Sequence, residues 1–142
     1  MWSDTLFRAE QQHLLRLLLW AATSIVGGTA LGVATVVRRV TSPLLRNFAI
    51  QTAAWGILIG GIAGVWWNTV ALRDLAGAAR LERALWLTMG LDIGCLAVGV
   101  VLAVAAWIPA RRLGGVGAGT AIAIQGVALL VLDMQFANTV SR

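Results

Sequence analysis

The sequence is short of charge. Only 12% of its 142 residues are Asp, Glu, Lys or Arg, against about a quarter in an ordinary soluble domain, and that shortage excludes a soluble globular enzyme. A disordered chain is excluded from the other direction, because 59% of the residues are apolar and disorder needs low hydrophobicity with high charge. A single cysteine, Cys95, rules out an internal disulfide or a Cys-rich metal site. A single histidine, His13, rules out a paired-histidine haem or metal centre within one copy. Lysine is missing altogether: all eleven basic residues are arginine. That bias is read first as coding composition in a bacterium, and second as a preference for planar pairing with phosphate or carboxylate.

Long apolar runs fill the space that charge leaves, at a mean hydropathy of +0.84. Four of them, over about 14–37, 48–72, 84–108 and 116–140, hold 24 or 25 residues each. Runs beyond about 18 residues read as membrane-spanning helices. At 1.5 Å per residue each is roughly 36–37 Å long, enough to cross the bilayer with some tilt. The first run is too long for a secretory leader and follows Asp4 and Glu10, so it is expected to be a retained helix. Residues 1–12 are expected to form a separate amphipathic segment at the interface, with Trp2, Leu6 and Phe7 apolar. Loops fall at 38–46, 73–83 and 109–114, the first containing Pro43. The expected fold is all-α: one domain, an antiparallel bundle of four transmembrane helices in which short loops make successive helices neighbours.

The loops and termini divide the arginines almost evenly. Arg8, Arg16, Arg73, Arg80, Arg83 and Arg142 lie on the side of the termini, with the acids Asp4, Glu10, Asp74 and Glu82. Arg38, Arg39, Arg46, Arg111 and Arg112 lie on the other, with no acid. Loops one and three, short and purely basic, are therefore expected on the cytoplasmic side of an inner membrane. The net charge of +5 is read as affinity for anionic lipid head groups, and no soluble basic domain exists to bind nucleic acid.

Small residues mark where helices can approach closely in lipid. The second run carries Gly56, Gly60 and Gly64 at four-residue spacing, the first Gly28 and Gly32, and the third Gly90 and Gly94. They are expected to pack the bundle, or else to form the face of a homo-oligomer or larger membrane complex. Trp20, Trp66, Trp67, Trp86 and Trp107 are expected as an interfacial aromatic belt. The alternative is a stacking surface for a cofactor or subunit, although the sequence names no cofactor.

The polar residues within the runs need the most explanation, since an ionisable group at the bilayer centre costs roughly 2.5–3.5 kcal/mol on insertion scales. Asp92 falls about 6 Å and Asp133 about 9 Å from the middle of their runs, both towards the termini. They are expected at similar depth on neighbouring helices. Thr88 shares a face with Asp92, Gln125 shares a stripe with Asp133, and Asn68 and Arg16 fall on the same side. This intramembrane polar cluster admits two readings. It fixes helix register through internal hydrogen bonds, or it handles a proton or cation, as acids in transporters do. No metal-ligand spacing, phosphate loop or catalytic constellation occurs, and His13 is placed at the interface with no role. The expected function is a non-enzymatic accessory or scaffold subunit; the alternative is a small proton- or cation-coupled transporter using Asp92 and Asp133.

Three stretches resemble an uncharacterised family of small four-helix bacterial membrane proteins. They are Phe48-x-x-Gln51-x-x-x-Trp55, Gly90-Leu91-Asp92-Ile93-Gly94, and Gln125-Gly126 followed by Asp133, within residues 44–140. Cys95 stands where that pattern often has an aromatic residue. The resemblance implies the fold and draws attention to Asp92, Gln125 and Asp133; it implies no activity.

Overall fold

The computed structural model describes residues 2–140 apart from the side chain of Trp2. The expected apolar role of Trp2 and the charge of Arg142 lie outside the described residues. Four helices follow one another: α1 (Trp2–Val37), α2 (Pro43–Trp67), α3 (Leu75–Trp107) and α4 (Leu113–Val140). Each is long and apolar enough to cross a membrane. The protein is a multi-pass four-helix membrane bundle, and no strand occurs among the described residues.

The helix ends differ from the hydropathy boundaries for local reasons. Pro43 opens α2 at its first position, where its missing N–H costs nothing, and Ser42 caps the helix by accepting from the Leu45 N–H at 3.4 Å. Asn68 ends α2 and donates its side-chain amide to the Gly64 carbonyl at 3.1 Å. The apolar residues Val70, Ala71 and Leu72 therefore belong to a loop and not to the second span, and Val70 packs against the core. Asp74 caps α3 by accepting from the Gly77 N–H at 2.7 Å. Most of the expected second loop is consequently the first two turns of α3.

The expected interfacial segment at 1–12 is not separate either. It is the start of α1, and it is helical because Leu6, Ala9, Glu10 and His13 all face inwards and are buried. At 1.5 Å per residue, α1 spans about 54 Å and α3 about 50 Å. Both exceed a hydrocarbon core of roughly 30 Å, so they tilt within it or reach past it at their ends. Towards the end that carries the termini, Phe136, Leu85 and Ala9 form a small apolar cluster, and Arg73 clasps Glu10 with two hydrogen bonds of 2.9 and 2.6 Å.

The helices pack as two pairs, α1 with α2 and α3 with α4, joined mainly along α2 and α4. Glycine makes each pair tight. A Cβ on Gly28 would stand 2.7 Å from the Ala49 carbonyl oxygen, and one on Gly56 would stand 2.8 Å from that of Ala21. In the other pair, a Cβ on Gly99 would stand 2.7 Å from the Gly119 oxygen, and one on Gly126 would stand 2.8 Å from that of Asp92. Between the pairs, Gly117 lies directly against the Leu44 carbonyl.

Two expectations need correcting. Although short loops were expected to make every pair of successive helices neighbours, α2 and α3 have no Cα atoms within 8 Å of each other; a cleft separates them. Of the expected packing glycines, Gly32 and Gly60 make ordinary contacts at 3.9 and 3.4 Å, while Gly64, Gly90 and Gly94 face open space. Gly90 and Gly94 lie on the side of α3 turned away from Asp92, where no helix of this chain is packed.

Candidate functional site: an acid–histidine cleft between α2 and α3

The buried face of α1 is a stripe at three- and four-residue spacing: Leu6, Glu10, His13, Leu17, Ala21, Ser24 and Gly28, all buried. That stripe turns His13 towards α4, where its Nε2 meets Asp133 Oδ1 at 3.3 Å. Its ring stacks on Phe136 with centroids 4.5 Å apart and planes at 11°. From α3, the Thr88 hydroxyl donates to Asp133 Oδ2 at 2.6 Å. Three helices thus converge on one carboxylate. Asp92, one helical turn deeper than Thr88 on α3, is 7% exposed, and its Oδ2 has no hydrogen-bond partner. The Nδ1 of His13 is also buried without one.

These groups share one space. A cavity of about 270 Å³ occupies the cleft and is lined by His13, Thr88, Asp92, Cys95 and Asp133. The apolar remainder comes from Leu17 on α1, Trp55 to Trp66 on α2, Leu91 on α3 and Leu129 on α4. Four helices contribute walls, and the gap between α2 and α3 leaves the cavity open on one flank. Among the described residues no group of three or more His, Cys, Asp or Glu is placed to hold a metal ion.

The expected cluster is brought together only in part. Thr88 meets Asp133, and Asp92 lines the same cavity without touching either through a hydrogen bond. Gln125 lies two turns away along α4 in a separate network: it is 1% exposed, accepts from the Trp20 indole at 2.7 Å and donates to Ser24 at 3.1 Å. Trp20 is therefore tied into the bundle and is not a head-group anchor. Arg16 is exposed and donates to Gln135 at 3.1 Å, because it lies off the buried stripe of α1. Asn68 is spent on capping α2 and is exposed. His13, read as interfacial and idle, is the residue that sequence reasoning missed; its place in the stripe was the available signal. Trp66, Trp67 and Trp107 are exposed at helix ends, Trp86 is exposed about three turns into α3, and Arg111 lies 5.5 Å over the Trp107 ring.

A polytopic helical bundle with acidic groups and a histidine lining a cleft between its helices is the class of protein that this geometry defines. The chain belongs to a family of unknown function, DUF6992, which it matches over residues 16–134. The match takes in the Asp92 and Asp133 positions and ends before Phe136; His13 precedes it. No curated protein and no solved structure matches the chain.

Proposed function

We propose that this is a non-enzymatic multi-pass protein of the bacterial cytoplasmic membrane that takes up a proton or cation in the α2–α3 cleft, as a small coupled transporter. The observation that carries the reading is the meeting of His13, Asp133 and Asp92, from three helices, on one cavity. Ionisable groups inside a bilayer are costly and commonly mark ion or proton pathways. A network kept only for register would close all its polar atoms, yet Asp92 Oδ2 and His13 Nδ1 stay open.

An α-helical bundle suits the inner membrane, since outer-membrane spans are typically β-barrels. Loops one and three, with five arginines and no acid, favour the cytoplasmic side. Reconstitution in liposomes with an imposed pH gradient tests the function. With an external cation, whether Na⁺, K⁺ or an organic ammonium, the gradient should decay faster than in empty liposomes. The double variant Asp92→Asn, Asp133→Asn should remove the difference. Equal decay in protein-containing and empty vesicles would refute the reading.

A second reading, an accessory subunit or homo-oligomer, is favoured by the unpartnered Gly90 and Gly94 face of α3. Small residues turned to lipid allow another helix to approach closely. Disulfide trapping of Gly90→Cys or Gly94→Cys in membranes, with Cys95→Ser, should then give a covalent dimer or a covalent adduct with another subunit. Monomer alone would count against it.

A further inference from the structure

We propose that the ligand of the α2–α3 cleft is a hydrophobic organic cation of about a dozen non-hydrogen atoms, an aryl or alkyl ammonium. This deepens the transporter reading and rests on it for the placement of the site. Size comes first. A cavity of roughly 150 Å³ holds benzene, so 270 Å³ accommodates nearly twice that. Charge comes next. Asp92 is buried, lines the cavity and has an oxygen with no partner. An anion would be repelled there, and a neutral acyl chain would leave the open oxygen unmatched at a desolvation cost.

The walls choose among cations. A bare inorganic ion needs several oxygen ligands in place of its water. The cavity offers two carboxylates and one hydroxyl, and Asp133 is already engaged by His13 and Thr88. The rest is apolar or aromatic. Trp55 and Trp66, eleven residues apart on α2 and so about three turns, both line the cavity. Indole is the strongest of the aromatic partners for an ammonium group. Leu58, Ile62 and Leu91 are each about half exposed or more along the cleft. A cation already dissolved in the bilayer therefore enters sideways, without crossing a polar surface.

Benzyltrimethylammonium, its neutral isostere neopentylbenzene, and NaCl serve as probes on purified protein in nanodiscs, followed by tryptophan fluorescence and calorimetry. The cation should bind saturably and the isostere roughly tenfold more weakly or not at all. Asp92→Asn should weaken cation binding roughly tenfold and leave the isostere unchanged. Trp66→Leu, at a half-exposed position near a helix end, provides a second variant that keeps the fold and should also weaken the cation. Equal binding of cation and isostere, or indifference to both variants, would show an apolar cleft only and overturn the proposal. Displacement by Na⁺ at equal concentration would assign the site to inorganic ions and overturn it too. Ion-driven decay of the pH gradient without ammonium binding would sink this inference alone. Ammonium binding without any flux would sink the transporter reading while leaving the ligand class standing.

Discussion

His13 Nε2 and Asp133 Oδ1 lie 3.3 Å apart, joining the first helix to the last within the bundle. Both side chains are under 10% exposed, so neither can turn to water when its partner is removed. His13→Ala leaves Asp133 with Thr88 alone and takes the stacked ring from Phe136. The expected cost is about 1–3 kcal/mol. Asp133→Asn is expected to cost a similar amount, and the double variant less than the sum. A double-mutant cycle from thermal unfolding in detergent should give a coupling of roughly 0.5–3 kcal/mol. Strict additivity would mean that the contact contributes nothing of its own.

The glycines divide sharply by what surrounds them. A Cβ at Gly119 would stand 2.6 Å from the Gly99 carbonyl oxygen, and these are backbone atoms that cannot swing away. Gly99→Ala and Gly119→Ala should each destabilise the α3–α4 pair by about 1–3 kcal/mol, as overpacking does. Gly90→Ala and Gly94→Ala meet nothing within 4 Å. They should leave the melting temperature unchanged or raise it, since alanine favours a helix interior by about 1 kcal/mol. Thermal melts of the four variants check this directly. A drop at Gly94 that appears only at high protein concentration would reveal an intermolecular contact.

This division also shows what the sequence conveys. Four spans are legible because hydropathy alone defines them. That Asp92 and Asp133 fall in the same half of the bundle follows from counting residues along antiparallel helices, and Thr88 follows from its spacing; the two acids are not level, because Asp133 meets Thr88 while the Asp92 backbone packs a turn deeper against Gly126. Contacts between helices are not legible in the same way. Gly94 and Gly99 look alike in sequence, but one faces lipid and the other α4, because the α3 face that is used depends on how the pairs assemble. The start of α1 is hidden for a related reason: Glu10 and His13 are polar, so they read as outside the membrane, although α4 and the loop at Arg73 bury them. Asn68 and Arg16 show the limit of depth as a guide. They lie near the level of the site but point elsewhere.

Arg73 grips Glu10 through its Nε at 2.9 Å and a terminal nitrogen at 2.6 Å, anchoring the α2–α3 loop to α1. The hydrogen bonds that Arg73 donates to Glu10 raise its pKa above the ordinary value, so the guanidinium stays charged at any working pH. Lysine cannot reproduce the two-pronged geometry. Arg73→Lys should therefore behave much like Arg73→Ala, with a loss of about 1–3 kcal/mol from leaving buried Glu10 without its fork. Limited proteolysis gives the more specific readout: residues 68–74 should become the first cleavage site in both variants. Resistance equal to wild type in Arg73→Ala would show that the loop is held by Val70 and not by the ion pair.

Arg38, Arg39, Arg46, Arg111 and Arg112 occupy one end of the bundle with no acid among them. Arg39 and Arg111 sit in the left-handed backbone region, with φ of 51° and 44°, where most side chains are disfavoured. Asparagine tolerates that conformation better, so Arg39→Asn and Arg111→Asn remove charge without adding strain. Each arginine near an anionic surface contributes about 1 kcal/mol of attraction, and salt screens it over roughly 8 Å at physiological strength. The wild-type protein should melt at a higher temperature in phosphatidylglycerol nanodiscs than in phosphatidylcholine, and the gap should close as salt rises. In the quadruple variant Arg38→Gln, Arg39→Asn, Arg111→Asn, Arg112→Gln most of the gap should vanish even at low salt. If the lipid preference survives neutralisation, the acidic head groups act elsewhere, and Arg8, Arg80 and Arg83 at the opposite end become the residues to neutralise next.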